Sequence, residues 1–238
     1  MNIAIVGYGK MGKAIAEIAA QRNHTIAVII DADNAQEINN LNHYNTQVAI
    51  EFTTPETAYN NIATCMLQSV PTVCGSTGWN NKIIQAEALC TQHNTSLIVA
   101  SNYSVGVNLF FALNTKLAQL MQPQQQYIPN INEVHHTQKL DAPSGTAITL
   151  AQQIINNNNH YTSYTTTQPI STHQLYITSQ RIDPAPGTHT VTYTSLVDDI
   201  AITHTAHSRT GFALGAILAA EYIYNKKGIF TMKDVIGM

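Results

Sequence analysis

Gly7-Tyr-Gly-Lys-Met-Gly12 follows the apolar run Ile3–Val6 and opens a stretch of helical spacing from Met11 to Ala20. A Gly-x-Gly-x-x-Gly turn between a strand and a helix fixes the start of a βα unit. Gly7 permits the tight turn, Gly9 lets backbone approach a pyrophosphate, and Gly12 allows close helix packing. Asp31 stands about 20 residues beyond, at the end of the next apolar run, Ile26–Ile30, where a ribose-binding carboxylate belongs. Further strand-like runs follow at 48–52, 70–73 and 97–99, separated by helical patterns. Alternation of this kind predicts a parallel sheet covered on both faces, with ligands bound outside the carboxyl ends of the strands. Those ends carry Gly7, Asp31, Gly75-Ser-Thr-Gly78 and Ser101-Asn-Tyr103.

Beyond residue 105 the pattern changes. A helix is expected at 107–121, then a Gln/Pro connector at 122–126. Strand-like segments rich in Thr, Tyr, Ile and Val follow at 127–137, 174–181, 188–196 and 200–206. The Asn156–Asn159 run reads as a loop. This describes an open sheet with one or two helices, hence a second domain. From Arg209 a helical pattern with Ala213, Gly215, Ala216 and Ala219 returns, suited to packing against the first sheet.

Composition limits the functions available. Charged residues make up 11% of 238, and a net charge of −3 argues against a nucleic-acid binder. No apolar run is long enough for a membrane span, and Met1-Asn-Ile-Ala-Ile-Val enters a strand rather than a signal peptide, so a cytoplasmic protein is expected. Cys65, Cys74 and Cys90 are odd in number and lack a Cys-x-x-Cys pair, which predicts buried thiols.

The chemistry concentrates in Glu133-Val-His-His-Thr-Gln-Lys-Leu-Asp-Ala-Pro-Ser-Gly-Thr-Ala147. Asp141 to Thr146 resembles a helix start, with Pro143 in the first turn and Ser144 and Thr146 as hydroxyl donors. Such a turn attracts an anion through its free N–H groups. Lys139 adds a positive charge, and together they form a carboxylate clamp. His135 and His136 point to opposite faces of an extended segment, so one can serve as acid while the other holds substrate. Two other readings stand beside this one: histidines satisfied by hydrogen bonds without function, and a metal site, which lacks a third ligand at suitable spacing.

Together these segments resemble the dihydrodipicolinate (4-hydroxy-tetrahydrodipicolinate) reductase family across essentially the whole chain. The motifs are Gly7-x-Gly-x-Met-Gly12, Gly75-Ser-Thr-Gly-Trp79, Ala100-Ser-Asn-Tyr-Ser-Val-Gly-Val-Asn108, the 133–147 segment, and His204-x-Ala-x-Ser-Arg-x-x-Phe-Ala-x-Gly-Ala216. The resemblance implies an α/β protein. A Rossmann-type dinucleotide-binding domain (1–104) is completed by a C-terminal segment (209–238), and an α+β domain with an open mixed sheet (105–208) binds substrate and builds a homotetramer. It implies NADH- or NADPH-dependent reduction of a small dicarboxylate in diaminopimelate and lysine biosynthesis. Gly7, Tyr8, Gly9, Lys10, Met11 and Gly12 would hold the pyrophosphate and Asp31 the adenine ribose. Gly75, Ser76, Thr77, Ala100, Ser101, Asn102 and Tyr103 would line the nicotinamide side. His135 would donate the proton, assisted by Lys139, with His136, Ser144, Gly145 and Thr146 on the substrate. No metal is implied. Asp31 followed by Ala32 favours NADH over NADPH, with Lys10 as the opposing charge.

Thr137 and Gln138 replace basic residues common in the family, Ala201 replaces an acidic one, and the middle domain is short. A non-catalytic dinucleotide-binding regulator and another dehydrogenase on the same scaffold are the alternatives. The latter would require a nucleophilic cysteine or a different lysine pair.

Overall fold

The computed structural model describes residues 1–208 and 210–238. Arg209, from which the returning helix and third segment were expected to begin, lies outside the described residues. In chain order the elements are β1 (Asn2–Val6), α1 (Lys10–Gln21), β2 (Thr25–Ile30), β3 (Val48–Glu51), α2 (Pro55–Leu67), β4 (Thr72–Cys74), α3 (Ile83–Gln92) and β5 (Ser96–Val99). Then come α4 (Val105–Met121), β6 (Ile128–His135), α5 (Gly145–Asn157), β7 (Ser163–Thr165), β8 (Gln174–Arg181), β9 (Gly187–Thr194), β10 (Asp199–Ala206), α6 (Thr210–Ile223), β11 (Gly228–Phe230) and α7 (Met232–Val235). They form two compact units: Met1–Val105 with Thr210–Met238, and Gly106–Arg209.

The first unit holds a six-stranded sheet of order β11-β5-β4-β3-β1-β2, and every adjacent pair is parallel. Its central strands read as unbroken apolar runs, Ile3-Ala-Ile-Val6 and Val48-Ala-Ile50, because helices cover both faces. The chain lays β2 on one side of β1 and β3 on the other, so the topological switch point falls between β1 and β3. There the Gly7 N–H donates to Ile30 O at 2.8 Å and the Phe52 N–H to Val6 O at 2.8 Å. α6 belongs to this unit. Ala213, Ala216, Ile217, Ala219, Ala220 and Ile223 are fully buried against Ile3, Ile5 and Ile15.

The second unit is a mixed sheet of order β10-β9-β6-β8-β7, with β6 antiparallel to β9 and parallel to β8. Side chains alternate across a strand. Along β6 the buried parity is Pro129, Ile131, Glu133 and His135; along β9 it is Gly187, His189, Val191 and Tyr193. At one end of both strands that face packs Ile131, Val191 and Tyr193 into a core with Phe110 and Ala118 of α4 and Leu150, Ala151 and Ile154 of α5. At the other end the same parity delivers Glu133, His135 and His189.

Several expected boundaries move. The loop expected at Asn156–Asn159 is half helix, because α5 runs to Asn157 and Asn158 caps it. Pro143 does not sit in the first turn: Ser144 is the N-cap, so Pro143 precedes the helix. β4 starts at Thr72 rather than Val70, and the short β7, β11 and α7 were not foreseen.

Candidate active site

Glu133 is the centre of the polar end of the second sheet. It is fully buried. Its Oε1 accepts from Ser179 Oγ at 2.8 Å, from the Ser144 N–H at 3.1 Å and from Arg181 Nη2 at 3.4 Å. Its Oε2 takes the Ser144 N–H at 3.2 Å and lies 3.5 Å from both His135 Nδ1 and His189 Nε2. Burial alone would raise this carboxyl, but hydrogen bonding to His189, Ser144 and Ser179 outweighs it and holds Glu133 well below the usual carboxylate range. The residue is ionised at neutral pH.

Sheet register explains the assembly. Glu133 pairs with Ser179 on β8 and with His189 on β9, and His189 pairs with His204 on β10. Four strands thus contribute one row. His135 follows two residues after Glu133, so it shares the face, and its ring meets that of His189 edge-on with centroids 4.9 Å apart. Burial pushes the His135 imidazole down to about 4; Glu133 opposes this, and His189, Lys139 and Arg181 reinforce it. This ring is therefore neutral at pH 7.

The α5 N-terminus abuts this row. Ser144 Oγ accepts from the Ala147 N–H at 3.2 Å and contacts His189 Nε2 at 3.0 Å. Being buried, Ser144 is corrected from a substrate-facing hydroxyl to a residue that joins the helix start to Glu133 and His189. The cap leaves the first-turn N–H groups of Gly145 and Thr146 without an intrahelical partner, and Gly145 is exposed with open space above it. His136, just past β6, is half-buried. Lys139 is paired with Asp141 at 2.7 Å rather than standing free. Arg181 straps this loop to the sheet, donating to Asp141 O at 2.6 Å and Lys139 O at 3.3 Å. Thr137 turns away to Asp183, its N–H at 3.1 Å and hydroxyl at 2.6 Å, and Ala201 is exposed opposite Thr192.

The argument that a metal would lack a third ligand also needs correction. Glu133, His135 and His189 offer ligand atoms within 4.8 Å of one another. Yet Glu133 already accepts from the Ser144 N–H and the Ser179 hydroxyl, and the Arg181 guanidinium 3.4 Å away opposes a divalent cation. A cavity of about 670 Å³ lined by Gln124, Tyr127, His160, Tyr161, Ile170 and Gln174 sits at the far end of β6. No lysine or arginine is among its lining residues.

In the first unit the glycine loop fits a dinucleotide. Gly7 has φ +93°, and a Cβ there would lie 2.3 Å from Phe52 O; a Cβ on Gly12 would lie 2.1 Å from Gly7 O. Gly9, the exposed N-cap of α1, has nothing within 4 Å of its Cβ position and no side-chain cap. Backbone donors thus face open space at a helix N-terminus, which suits a pyrophosphate. Tyr8 and Met11 are half-buried and Lys10 exposed. Asp31 is exposed at the end of β2, with Oδ1 accepting from the Ala32 N–H at 3.0 Å.

At the ends of β4 and β5, Gly75 and Ala100 are half-buried, Thr77 and Ser101 exposed, and Asn102 Oδ1 accepts from the Ser104 N–H at 2.9 Å. Two expected ligand contacts turn inward. Tyr103 is buried with its hydroxyl donating to Cys74 O at 2.6 Å, and Ser76 Oγ accepts from the Thr53 N–H at 2.8 Å. Their side chains brace the strand ends, leaving only backbone for a ligand. Glu51, buried at the end of β3, was missed; it accepts from the Thr53 N–H at 3.0 Å and from the Thr53 hydroxyl and Cys74 thiol.

Comparison with known proteins covers the whole chain. A family model described as dihydrodipicolinate reductase, N-terminus, matches residues 1–103, and one described as dihydrodipicolinate reductase, C-terminus, matches residues 106–236. A 4-hydroxy-tetrahydrodipicolinate reductase of Christiangramia forsetii is 49% identical over 237 residues, covering 100% of this chain and 98% of the relative. One from Thermosipho africanus is 31% identical, covering 99% and 98%. Among solved structures, dipicolinate-bound dihydrodipicolinate reductase from Paenisporosarcina sp. TG-14 shares the fold at TM-score 0.77 and 20% identity, covering 99% of both chains. An amine dehydrogenase from Mycobacterium smegmatis shares it at 0.58 and 8%, covering 98% and 95%.

Proposed function

This chain belongs to the dihydrodipicolinate reductase family, and from that premise we propose that it reduces 4-hydroxy-tetrahydrodipicolinate, in its dehydrated form, to tetrahydrodipicolinate. The reaction is an NAD(P)H-dependent oxidoreductase step of diaminopimelate and lysine biosynthesis. The observation that carries the reading is the end of β6, where His135 and the α5 N-terminus meet at Glu133 and Lys139 lies near enough to act on the His135 charge.

The second unit is the substrate-binding domain. The Gly145 and Thr146 N–H groups, the Thr146 hydroxyl, His136 and Lys139 receive the two carboxylates, with Lys139 released from Asp141 as they arrive. Their negative charge draws His135 back toward its imidazolium form. A reduced nicotinamide, held by the glycine loop and the strand ends of the first unit, would supply the hydride that the unsaturated ring takes at C4. His135 then gives its proton to the electron-rich product, and Glu133 steadies the ring throughout. Catalysis here is chiefly positioning and electrostatics, with no metal.

Gly7–Gly12, Asp31, Gly75–Thr77 and the 100–103 backbone hold the cofactor. NADH is favoured, because Asp31 suits a ribose 2′-OH and repels a 2′-phosphate, whereas exposed Lys10 is a flexible charge worth about 1 kcal/mol or less. A dehydrogenase using a thiol nucleophile is disfavoured: all three cysteines are buried, and burial with Glu51 nearby pushes the Cys74 thiol far up. The protein works in the cytoplasm, away from membranes and nucleic acid; no helix among the described residues is long and apolar enough to cross a membrane. Exposed Leu196 and Val197 in the β9–β10 turn and Ile200 on the edge strand β10 support pairing between copies into a homotetramer. A concentration-independent monomer mass by light scattering would refute that.

The deciding experiment condenses aspartate semialdehyde with pyruvate and follows loss of reduced nicotinamide. Wild type should turn over, and His135→Gln should lose about 10²-fold or more in kcat with little change in KM. Wild-type turnover in His135→Gln would sink the assignment of the acid.

A further inference from the structure

We propose that Glu133 is the positioning residue of this site: its buried carboxylate fixes the His135 ring with Nδ1 toward the sheet and Nε2 toward substrate, and His189 is the second arm of the same clamp. The proposal rests on the functional reading above and adds two residues to it.

His135 Nδ1 is buried and, among the described residues, has no hydrogen-bond partner, yet it lies 3.5 Å from Glu133 Oε2. A buried nitrogen left unpaired is costly, so an acceptor just beyond bonding reach marks where its proton goes when the ring is charged. The opposite nitrogen, Nε2, passes Gly187, where a Cβ would lie 3.1 Å from it, so a larger residue there would crowd that edge of the ring. The carboxylate itself cannot swing. The helix start, Ser179 and Arg181 hold Oε1, while His189, pinned by Ser144 Oγ at 3.0 Å, stands at 3.5 Å from Oε2. An imidazolium between carboxylate and substrate gives up its Nε2 proton and becomes the neutral Nδ1–H tautomer, which Glu133 stabilises. This is the logic of a carboxylate orienting a catalytic imidazole.

The groups facing His135 are Glu133 on β6, His189 on β9, Arg181 on β8, Lys139 in the loop and the α5 N-terminus at Ser144. Only Glu133 is anionic among the contacts that set its charge. Removing that charge should therefore make the acid lose its proton at lower pH.

The test is Glu133→Gln in the full-length enzyme, read by ¹⁵N NMR of the His135 ring without substrate and by the pH profile of kcat. The variant should lose the Nδ1–H tautomer. Its high-pH fall in kcat should move down by about one pH unit or more, with kcat at pH 7 down about 10- to 100-fold and KM within about threefold. A merely structural residue would leave the tautomer and the pH limb in place, and that result overturns the proposal. If Glu133→Gln does not fold, Glu133→Asp decides: it keeps the charge but withdraws it by a methylene, so an unchanged tautomer and an unchanged kcat would again overturn it. The functional reading fails separately. A shifted tautomer in Glu133→Gln with full turnover in His135→Gln would keep the clamp and discard the acid.

Discussion

Substrate binding should carry a proton into the site, and the amount follows from the burial of His135. With its pKa pushed down to about 4, the free enzyme holds this proton in about one molecule in a thousand at pH 7. Bringing the ring to half-protonation at that pH takes about three units, or about 4 kcal/mol at ~1.36 kcal/mol per unit. A carboxylate about 5 Å from the ring at an effective dielectric near 20 contributes about 3 kcal/mol, so two carboxylates, partly neutralised by Lys139 and the helix start, suffice. Calorimetric titration with dipicolinate in buffers of different ionisation enthalpy counts the protons. The expected uptake is about 0.5 to 1 per subunit at pH 7 in wild type and close to none in His135→Gln. Tight binding without uptake in wild type, or equal uptake in the variant, would refute the claim that the ligand charges this imidazole.

Three further outcomes follow from the same geometry. His135 is held below its ordinary value in the fold, so as pH falls from 6.5 to 4 the unfolded chain takes the proton first; stability present above pH 6.5 should fall by up to about 3 kcal/mol, and denaturant melts of His135→Gln should show a shallower loss across that window. Thr146→Val and His136→Ala should raise the substrate KM about 10-fold with kcat nearly unchanged, since both bind rather than protonate; a kcat loss at constant KM would contradict this. Wild type should show a higher kcat/KM with NADH than with NADPH, and a clear NADPH preference that vanishes in Lys10→Ala would show that Lys10 outweighs Asp31.

The first unit was largely legible because its signals are local. A glycine turn after an apolar run needs only adjacent residues, and the unbroken Val/Ile/Ala strands show burial on both faces directly. What failed there failed at short range too. β11 and β4 are three residues long, too brief for any periodicity, and the side chains of Tyr103 and Ser76 turned inward because strand ends must bond their own carbonyls and N–H groups before serving a ligand.

The site in the second unit was legible only in part, for a different reason. His135, His136, Lys139 and the α5 start lie within twelve residues of one another, and a linear reading collects them. Glu133, Ser179, Arg181 and His189 meet only through strand pairing, and the pairing of Glu133 with His189 spans 56 positions of chain. A signal was present nonetheless. In Pro129-x-Ile131-x-Glu133-x-His135 and Gly187-x-His189-x-Val191-x-Tyr193, ionisable groups occupy the inward parity of strands whose other inward residues are core. An ionisable group in such a slot must be paired with another element, because burying it alone costs more than the fold can tolerate. Taken strictly, that rule requires Glu133 to have cationic or N–H partners across the sheet, and Arg181, Ser144 and His189 meet that requirement.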